Sequence, residues 1–280
     1  MTAPGKRFGV LADVHGNLPA LRAAVARLRA EGVERFLCAG DLVGYGPFPD
    51  ECVEVIAGLD AVCVAGNHDL IALGRLSDER CNALARESLA WTRKRLAPSS
   101  REYLEALPVW VELDGVVMAH GSPDDPQRYV RDGAEAARQL ATVADRWSAA
   151  RVLVLGHTHI ARAWAPGGRP LDTSAGSATP LVRDRPVLLN PGAVGQSRER
   201  RIRARSLVLD LREQTVAFHA DAYDVGACRR ALRSAGLPPE AVHLSPTLPG
   251  RAARRLRRAA AKGIREWPRT RRDPSPLHRA

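Results

Sequence analysis

The stretch Phe8-Gly9-Val10-Leu11-Ala12-Asp13-Val14-His15-Gly16-Asn17 decides the reading of this chain. A short apolar run of this kind is a buried strand, and it stops on a carboxylate and an imidazole. Leu18, Leu21, Ala24, Val25 and Leu28 follow at helical spacing, and Gly32 closes the helix. The pattern then repeats. Phe36-Leu37-Cys38-Ala39 is a second strand, ending at Gly40-Asp41, and residues 52–59 read as a helix. Ala61-Val62-Cys63-Val64-Ala65 is a third strand, ending at Gly66-Asn67-His68-Asp69. Strands alternating with helices predict an α/β fold with a mostly parallel sheet covered by helices.

Working outward, residues 78–107 read as helical with a break at Pro98-Ser99-Ser100. Residues 110–113 and 116–119 flank Asp114-Gly115, a hairpin signal, and the second run ends at His120-Gly121. A helix over about 134–147 leads to Val152-Leu153-Val154-Leu155 and then Gly156-His157-Thr158-His159. Residues 166–185, rich in Gly, Pro and polar residues, read as an excursion. Val187-Leu188-Leu189 ends at Asn190-Pro191-Gly192, residues 206–211 and 215–220 read as a hairpin, and a helix over 225–234 closes the body. The expected division is a domain over 1–240 and a basic, poorly ordered tail over 241–280.

Of 280 residues 45% are hydrophobic, which excludes a largely disordered chain. No apolar run reaches the roughly 18 residues of a membrane span, and the start lacks the apolar stretch of a signal peptide. Cys38, Cys52, Cys63, Cys81 and Cys228 are odd in number and form no C-x-x-C pair, so reduced thiols in a cytoplasmic protein are expected. Charge is concentrated at one end. Between Arg251 and Ala280, eleven Lys and Arg face only Glu266 and Asp273, so the remaining 250 residues carry just two of the eleven net positive charges. Arg254, Arg255, Arg257 and Arg258 on a helix would attract nucleic acid or another polyanion without reading its sequence, and Trp267 could stack on a base. A solvated tail, or a general compositional bias toward Arg, accounts for the same residues.

The chemistry lies at the strand ends. Asp13-Val14-His15, Gly40-Asp41, Gly66-Asn67-His68-Asp69, His120-Gly121 and Gly156-His157-Thr158-His159 each follow an apolar run. Ligands of open α/β sheets gather at the carboxyl ends of strands, so these clusters would surround one cleft. Imidazoles, carboxylates and one amide suit borderline divalent metals. Each motif alone is weak, and the ordered set of five carries the reading.

That order resembles the calcineurin-like metallophosphoesterases: D-x-H at Asp13 and His15, G-D-x-x-G from Gly40 to Gly44, G-N-H-D from Gly66 to Asp69, a lone His120 before Gly121, and G-H-x-H from Gly156 to His159. The stretches 13–17, 40–47 and 190–196 are similar to signatures of the YfcE-like bacterial and archaeal phosphodiesterases. The resemblance covers about residues 7–225 and implies a two-sheet β-sandwich flanked by helices. It implies two divalent ions, manganese before iron, zinc, magnesium or nickel. One would be held by Asp13, His15, Asp41 and His159, the other by Asp41, Asn67, His120 and His157, with Asp41 bridging. His68 would not be a ligand but would reach a phosphoryl oxygen or the leaving group. The implied reaction is attack of a metal-bridging hydroxide on a small phosphodiester, or a monoester. A catalytically silent scaffold of the same fold and a nuclease using the basic tail are the alternatives. Three neighbours stay open at this level. Asp69 either orients His68 or a ligand, or caps a helix. Arg198, in the Gly-rich loop after Asn190, either holds phosphate or buttresses. Tyr45 either lines the cleft or packs, with packing preferred.

Overall fold

A computed structural model describes residues 6–182 and 185–244. The chain starts β1 (Arg7–Leu11), α1 (Leu18–Ala30), β2 (Arg35–Cys38), α2 (Pro49–Gly58) and β3 (Val62–Cys63). Asn17 caps α1, its side chain accepting the Ala20 N–H at 3.3 Å. Pro49 opens α2 at a position where a missing N–H costs nothing. Then come α3 (Asn67–Ala72), α4 (Ala83–Arg95) and α5 (Pro98–Ala106). The second half runs β4 (Trp110–Leu113), β5 (Val116–Ala119), α6 (Gly133–Arg146), β6 (Val152–Val154), β7 (Arg162–Ala165), β8 (Arg169–Pro170), β9 (Ala178–Pro180), β10 (Val187–Asn190), β11 (Ala204–Asp210), β12 (Thr215–Asp221) and α7 (Val225–Ser234).

The strands form two six-stranded sheets, ordered β3-β2-β1-β11-β12-β9 and β4-β5-β6-β10-β7-β8. Side chains alternate across each strand, and the alternation sorts them into layers. Phe8 and Val10 of β1 meet Met118, Val154, Val187 and Leu189 of the other sheet in a core between the sheets. The opposite face of the first sheet, including Leu11 and Cys38, packs on Leu21, Val25 and Leu28 of α1 and on Cys52 and Ile56 of α2. On the far side, Val117, Leu153 and Leu188 pack on Ala136, Leu140 and Val143 of α6. The architecture is the two-sheet sandwich flanked by helices that the resemblance implied.

Several expectations needed correction. The sheets are mixed, not mostly parallel. Only β1-β2-β3 and β5-β6-β10 run parallel, and the remaining pairs are antiparallel. The short links of the second half return the chain antiparallel, as hairpins must. The third strand shrinks to Val62–Cys63 because α3 begins at Asn67. The 78–107 helix is two helices broken at Leu96 and Ala97, since Pro98 starts α5 and restricts the residue before it. The excursion after Pro166 contributes β8 and β9. Pro239–Val242 form a 3-10 turn whose Ala241 and Val242 are buried. The remainder of the tail, with its Arg cluster and Trp267, lies outside the described residues. No described helix is long and apolar enough to cross a membrane.

Two parallel triplets, one per sheet, therefore bring six carboxyl ends to one edge of the sandwich. Loops are stitched there within each sheet and, through Gly195, between the two. His15 N–H donates to Asp41 O (2.9 Å), Gly156 N–H to His120 O (2.8 Å) and Gly195 N–H to Asp13 O (2.9 Å).

Candidate metal centre

Asp13 and His15 follow β1, Asp41 follows β2, Asn67 follows β3, His120 follows β5, and His157 and His159 follow β6. All seven side chains are buried. They fall into two groups with converging ligand atoms. Asp13, His15, Asp41 and His159 form one, and Asp41, His120 and His157 the other. Asn67 joins the second, its Oδ1 lying 3.1 Å from His120 Nε2.

Three imidazoles are fixed in the same way. Nδ1 of His15, His120 and His159 lies 3.0, 2.7 and 2.7 Å from the backbone oxygens of Val43, Ala39 and Gln196. A carbonyl oxygen can only accept, so each Nδ1 carries a proton, and in the neutral rings of His15 and His159 Nε2 keeps a bare lone pair. All three Nε2 atoms point at other candidate ligand atoms. His15 Nε2 is 3.2 Å from His159 Nε2, His120 Nε2 is 3.2 Å from Asp41 Oδ2, and His159 Nε2 is 3.3 Å from Asp13 Oδ1. The carboxylates repeat the arrangement. Asp13 Oδ1 accepts the His157 N–H (3.1 Å) and Asp41 Oδ1 accepts the His68 N–H (2.8 Å), while both Oδ2 atoms are buried without a hydrogen-bond partner. Acceptors packed against acceptors in a dry site repel unless a cation lies among them. The donor set fits divalent metal.

Burial and neighbouring charge set the protonation of these groups. Burial pushes Asp13 up to about 7, against the pull of His120 and with Asp41 adding. His120 goes up to about 10, because Asp41 and Asp13 outweigh its burial, so its Nε2 holds a proton against Asp41 that a metal ion would displace. Burial first of all holds His15, His157 and His159 well below the ordinary histidine value, in the neutral form that ligates metal.

Backbone strain is concentrated in the same place. Asp13, His15, Asp41, His157 and His159 all adopt positive φ, between 50 and 66°. Non-glycine residues reach this region at a cost of order 1–3 kcal/mol each, and such strain gathers at functional sites. Glycines allow the close approaches. A Cβ on Gly66 would lie 2.1 Å from Asp41 Oδ1, and one on Gly44, at φ +83°, 2.4 Å from His68 Nδ1.

Asp69 supports the loop of a candidate ligand and is not the N-cap of α3, which is Gly66; it is the third residue of the helix and reaches back to that cap. Its Oδ2 accepts N–H from Asp41 (2.8 Å) and Gly66 (2.9 Å), and its Oδ1 from Leu42 (2.9 Å) and Val43 (3.2 Å). It closes the start of α3 and pins the loop bearing Asp41. Tyr45 packs parallel to His68 at 4.8 Å and edge-on to His15 at 4.8 Å, and it also faces the cleft.

That cleft holds about 280 Å³ and is lined by Asp41, Tyr45, Asn67, His68, His157, His159 and Arg198. Arg80, Cys81, Asn82, Ala85, Gln127, Tyr129 and Leu244 complete its wall, and sequence reasoning placed none of the seven there. Only the position of Gln127 and Tyr129 in the loop after His120-Gly121 hinted at them.

Residues 7–214 match the calcineurin-like phosphoesterase superfamily domain. The chain belongs to the calcineurin-like phosphoesterase superfamily. It is 30% identical over 222 residues to an uncharacterized protein of Methanocaldococcus jannaschii, covering 78% of this chain and 88% of that one. The crystal structure of a metallophosphoesterase from Sphaerobacter thermophilus superimposes with a TM-score of 0.73 at 33% identity, over 85% of this chain and 97% of the other. A hypothetical protein from Pyrococcus horikoshii shares the fold, with a TM-score of 0.68 at 20% identity over 84% and 96% of the two chains. Membership in this superfamily makes the protein a hydrolase of the phosphoesterase class, built around buried Asp and His groups able to hold metal.

Proposed function

We propose that this calcineurin-like phosphoesterase hydrolyses small phosphate esters, diesters before monoesters, at a pair of divalent ions. The observation that carries the reading is the convergence of fixed Nε2 atoms on carboxylate and imidazole ligand atoms at 3.2–3.3 Å. Asp13, His15, Asp41 and His159 would hold one ion and Asp41, Asn67, His120 and His157 the other, with Asp41 common to both. When bound, the ions supply an acidified water for in-line attack on phosphorus and positive charge for the phosphoryl oxygens. Manganese is the ion we expect, with iron, zinc, magnesium and nickel compatible with the same mixed donors.

His68 lines the cleft beside Asn67 without joining either ligand group. Its Nδ1 is buried without a partner, and an unpaired buried N–H costs more than an unpaired lone pair. The ring therefore carries its proton on Nε2. Burial pushes His68 down to about 4, with Asp41 opposing and the His120 and Arg198 charges adding. At neutral pH its contribution is an N–H hydrogen bond to the departing or phosphoryl oxygen, not a standing positive charge. The diester preference rests on the signatures at residues 13–17, 40–47 and 190–196, which also support a place among the YfcE-like phosphodiesterases. Free Cys38, Cys52, Cys63, Cys81 and Cys228 support a reducing, cytoplasmic setting.

The test is elemental analysis paired with hydrolysis of bis(p-nitrophenyl) phosphate in added manganese. Asp41→Asn is expected to lower bound metal and abolish turnover, and retained turnover would contradict the proposal. A silent scaffold is disfavoured because every ligand position is filled. A nucleic-acid-directed role has one observation in its favour, the nine net positive charges from Arg251 to Ala280. Truncation after residue 245 tests it: unchanged nucleic-acid affinity and salt dependence would remove it.

A further inference from the structure

Two arginines lie near Glu199 and differ sharply in their partners. Arg205 is paired, its Nε and Nη2 reaching Glu199 Oε2 at 2.9 and 2.5 Å. Arg198 pairs with no carboxylate among the described residues. Its Nε donates to Gln196 Oε1 (3.2 Å) and its Nη1 to Tyr129 Oη (3.5 Å), both neutral acceptors. Neither bond ends on a backbone carbonyl, so neither ties one loop's main chain to another.

Both partners adjoin candidate ligands. The backbone oxygen of Gln196 accepts the Nδ1–H of His159 at 2.7 Å. The Tyr129 ring lies against His157, with centroids 4.0 Å apart. The guanidinium is thus aimed by neighbours of His157 and His159 into a cleft whose only carboxylate among the described residues is Asp41. A guanidinium presents a planar fork of donors that matches phosphate oxygens and stays charged at any working pH. Nη2 has no partner among the described residues and remains to take one.

We propose that Arg198 forms an oxyanion subsite beside the metal centre and holds the non-reacting oxygens of the substrate's phosphoryl group. Gln196 and Tyr129 act as positioning residues for the fork. The subsite rests on the phosphoesterase reading and names the part of the substrate that this residue recognises.

Calorimetric titration of inorganic phosphate into the full-length, manganese-loaded protein tests it. Arg198→Ala is expected to weaken phosphate binding about tenfold to a hundredfold, the range for one hydrogen bond to a charged group. Bound manganese should be unchanged, and kcat/KM on bis(p-nitrophenyl) phosphate should fall in proportion. Arg198→Lys should recover part of the affinity, keeping the charge but not the fork. Unchanged phosphate affinity in Arg198→Ala would overturn the subsite. So would loss of manganese from both variants, which would make Arg198 a support for the His159 loop. Failure of the wild-type protein to cleave the diester would count against the phosphoesterase reading instead, while phosphate binding still reports on Arg198.

Discussion

Replacing Asp69 by Asn changes one atom's chemistry and strikes four hydrogen bonds. The carboxylate accepts the backbone N–H groups of Asp41 and Gly66 on one oxygen and of Leu42 and Val43 on the other. Whichever way an amide is turned, its NH2 faces two backbone donors that had an acceptor. Two buried donors lose their partners, at about 1–3 kcal/mol each, so a loss of about 2–6 kcal/mol is expected. In a domain of this size that lowers Tm by about 5–20 °C. The damage falls on the main chain of Asp41 itself, so metal affinity should drop although no ligand has been touched. Differential scanning calorimetry with and without manganese, alongside elemental analysis, measures both effects. A variant within 0.5 kcal/mol of wild type and fully metal-loaded would refute the argument that Asp69 holds the Asp41 loop in place.

Three further outcomes are expected. His68→Ala should retain metal and slow diester hydrolysis by about 10²–10³-fold, the cost of one lost hydrogen-bond donor to a reacting oxygen, read by steady-state kinetics against bound metal; metal loss would make His68 a ligand. Gly66→Ala should fold yet bind metal poorly, because its Cβ would lie 2.1 Å from Asp41 Oδ1; full metal occupancy would show that the loop can shift freely. Asp210 accepts the backbone N–H of Glu213 and Arg212 and the Arg7 guanidinium, which outweigh its burial and hold its pKa below the usual value. Its contribution to stability is therefore present above the unfolded carboxylate value of about 3.9 and is lost as pH falls through the lower folded value. Urea midpoints of wild type and Asp210→Asn should converge between pH 7 and the most acid conditions at which the protein stays folded, and a constant gap would contradict the linkage.

The sequence was most informative where local pattern and chemistry coincide. Val10 and Leu11 before Asp13, or Val152 to Leu155 before His157, mark both a strand and the group at its end, so the first β-α-β units and the candidate ligands could be read together. Arg162-Ala163-Trp164-Ala165 carries no β-branched residue and was passed over, although it is β7. The mixed sheets were invisible because pairing partners such as β1 and β11 lie about 200 residues apart. Tyr129 and Arg80 reach the cleft from loops whose own sequences say nothing of the ligands they approach. The left-handed backbone at Asp13, His15, Asp41, His157 and His159 had no signal either, since these residues gain that conformation only from bonds between loops. The four bonds to Asp69 belong to the same class: an N-cap motif can be read locally, whereas its reach to residues 41–43 cannot.

Anomalous diffraction at the manganese edge, from crystals of the manganese-loaded protein, addresses the central claim most directly. Two peaks are expected, one among Asp13, His15, Asp41 and His159 and one among Asp41, Asn67, His120 and His157, with Asp41 touching both. A single peak, or peaks away from these side chains, would contradict it.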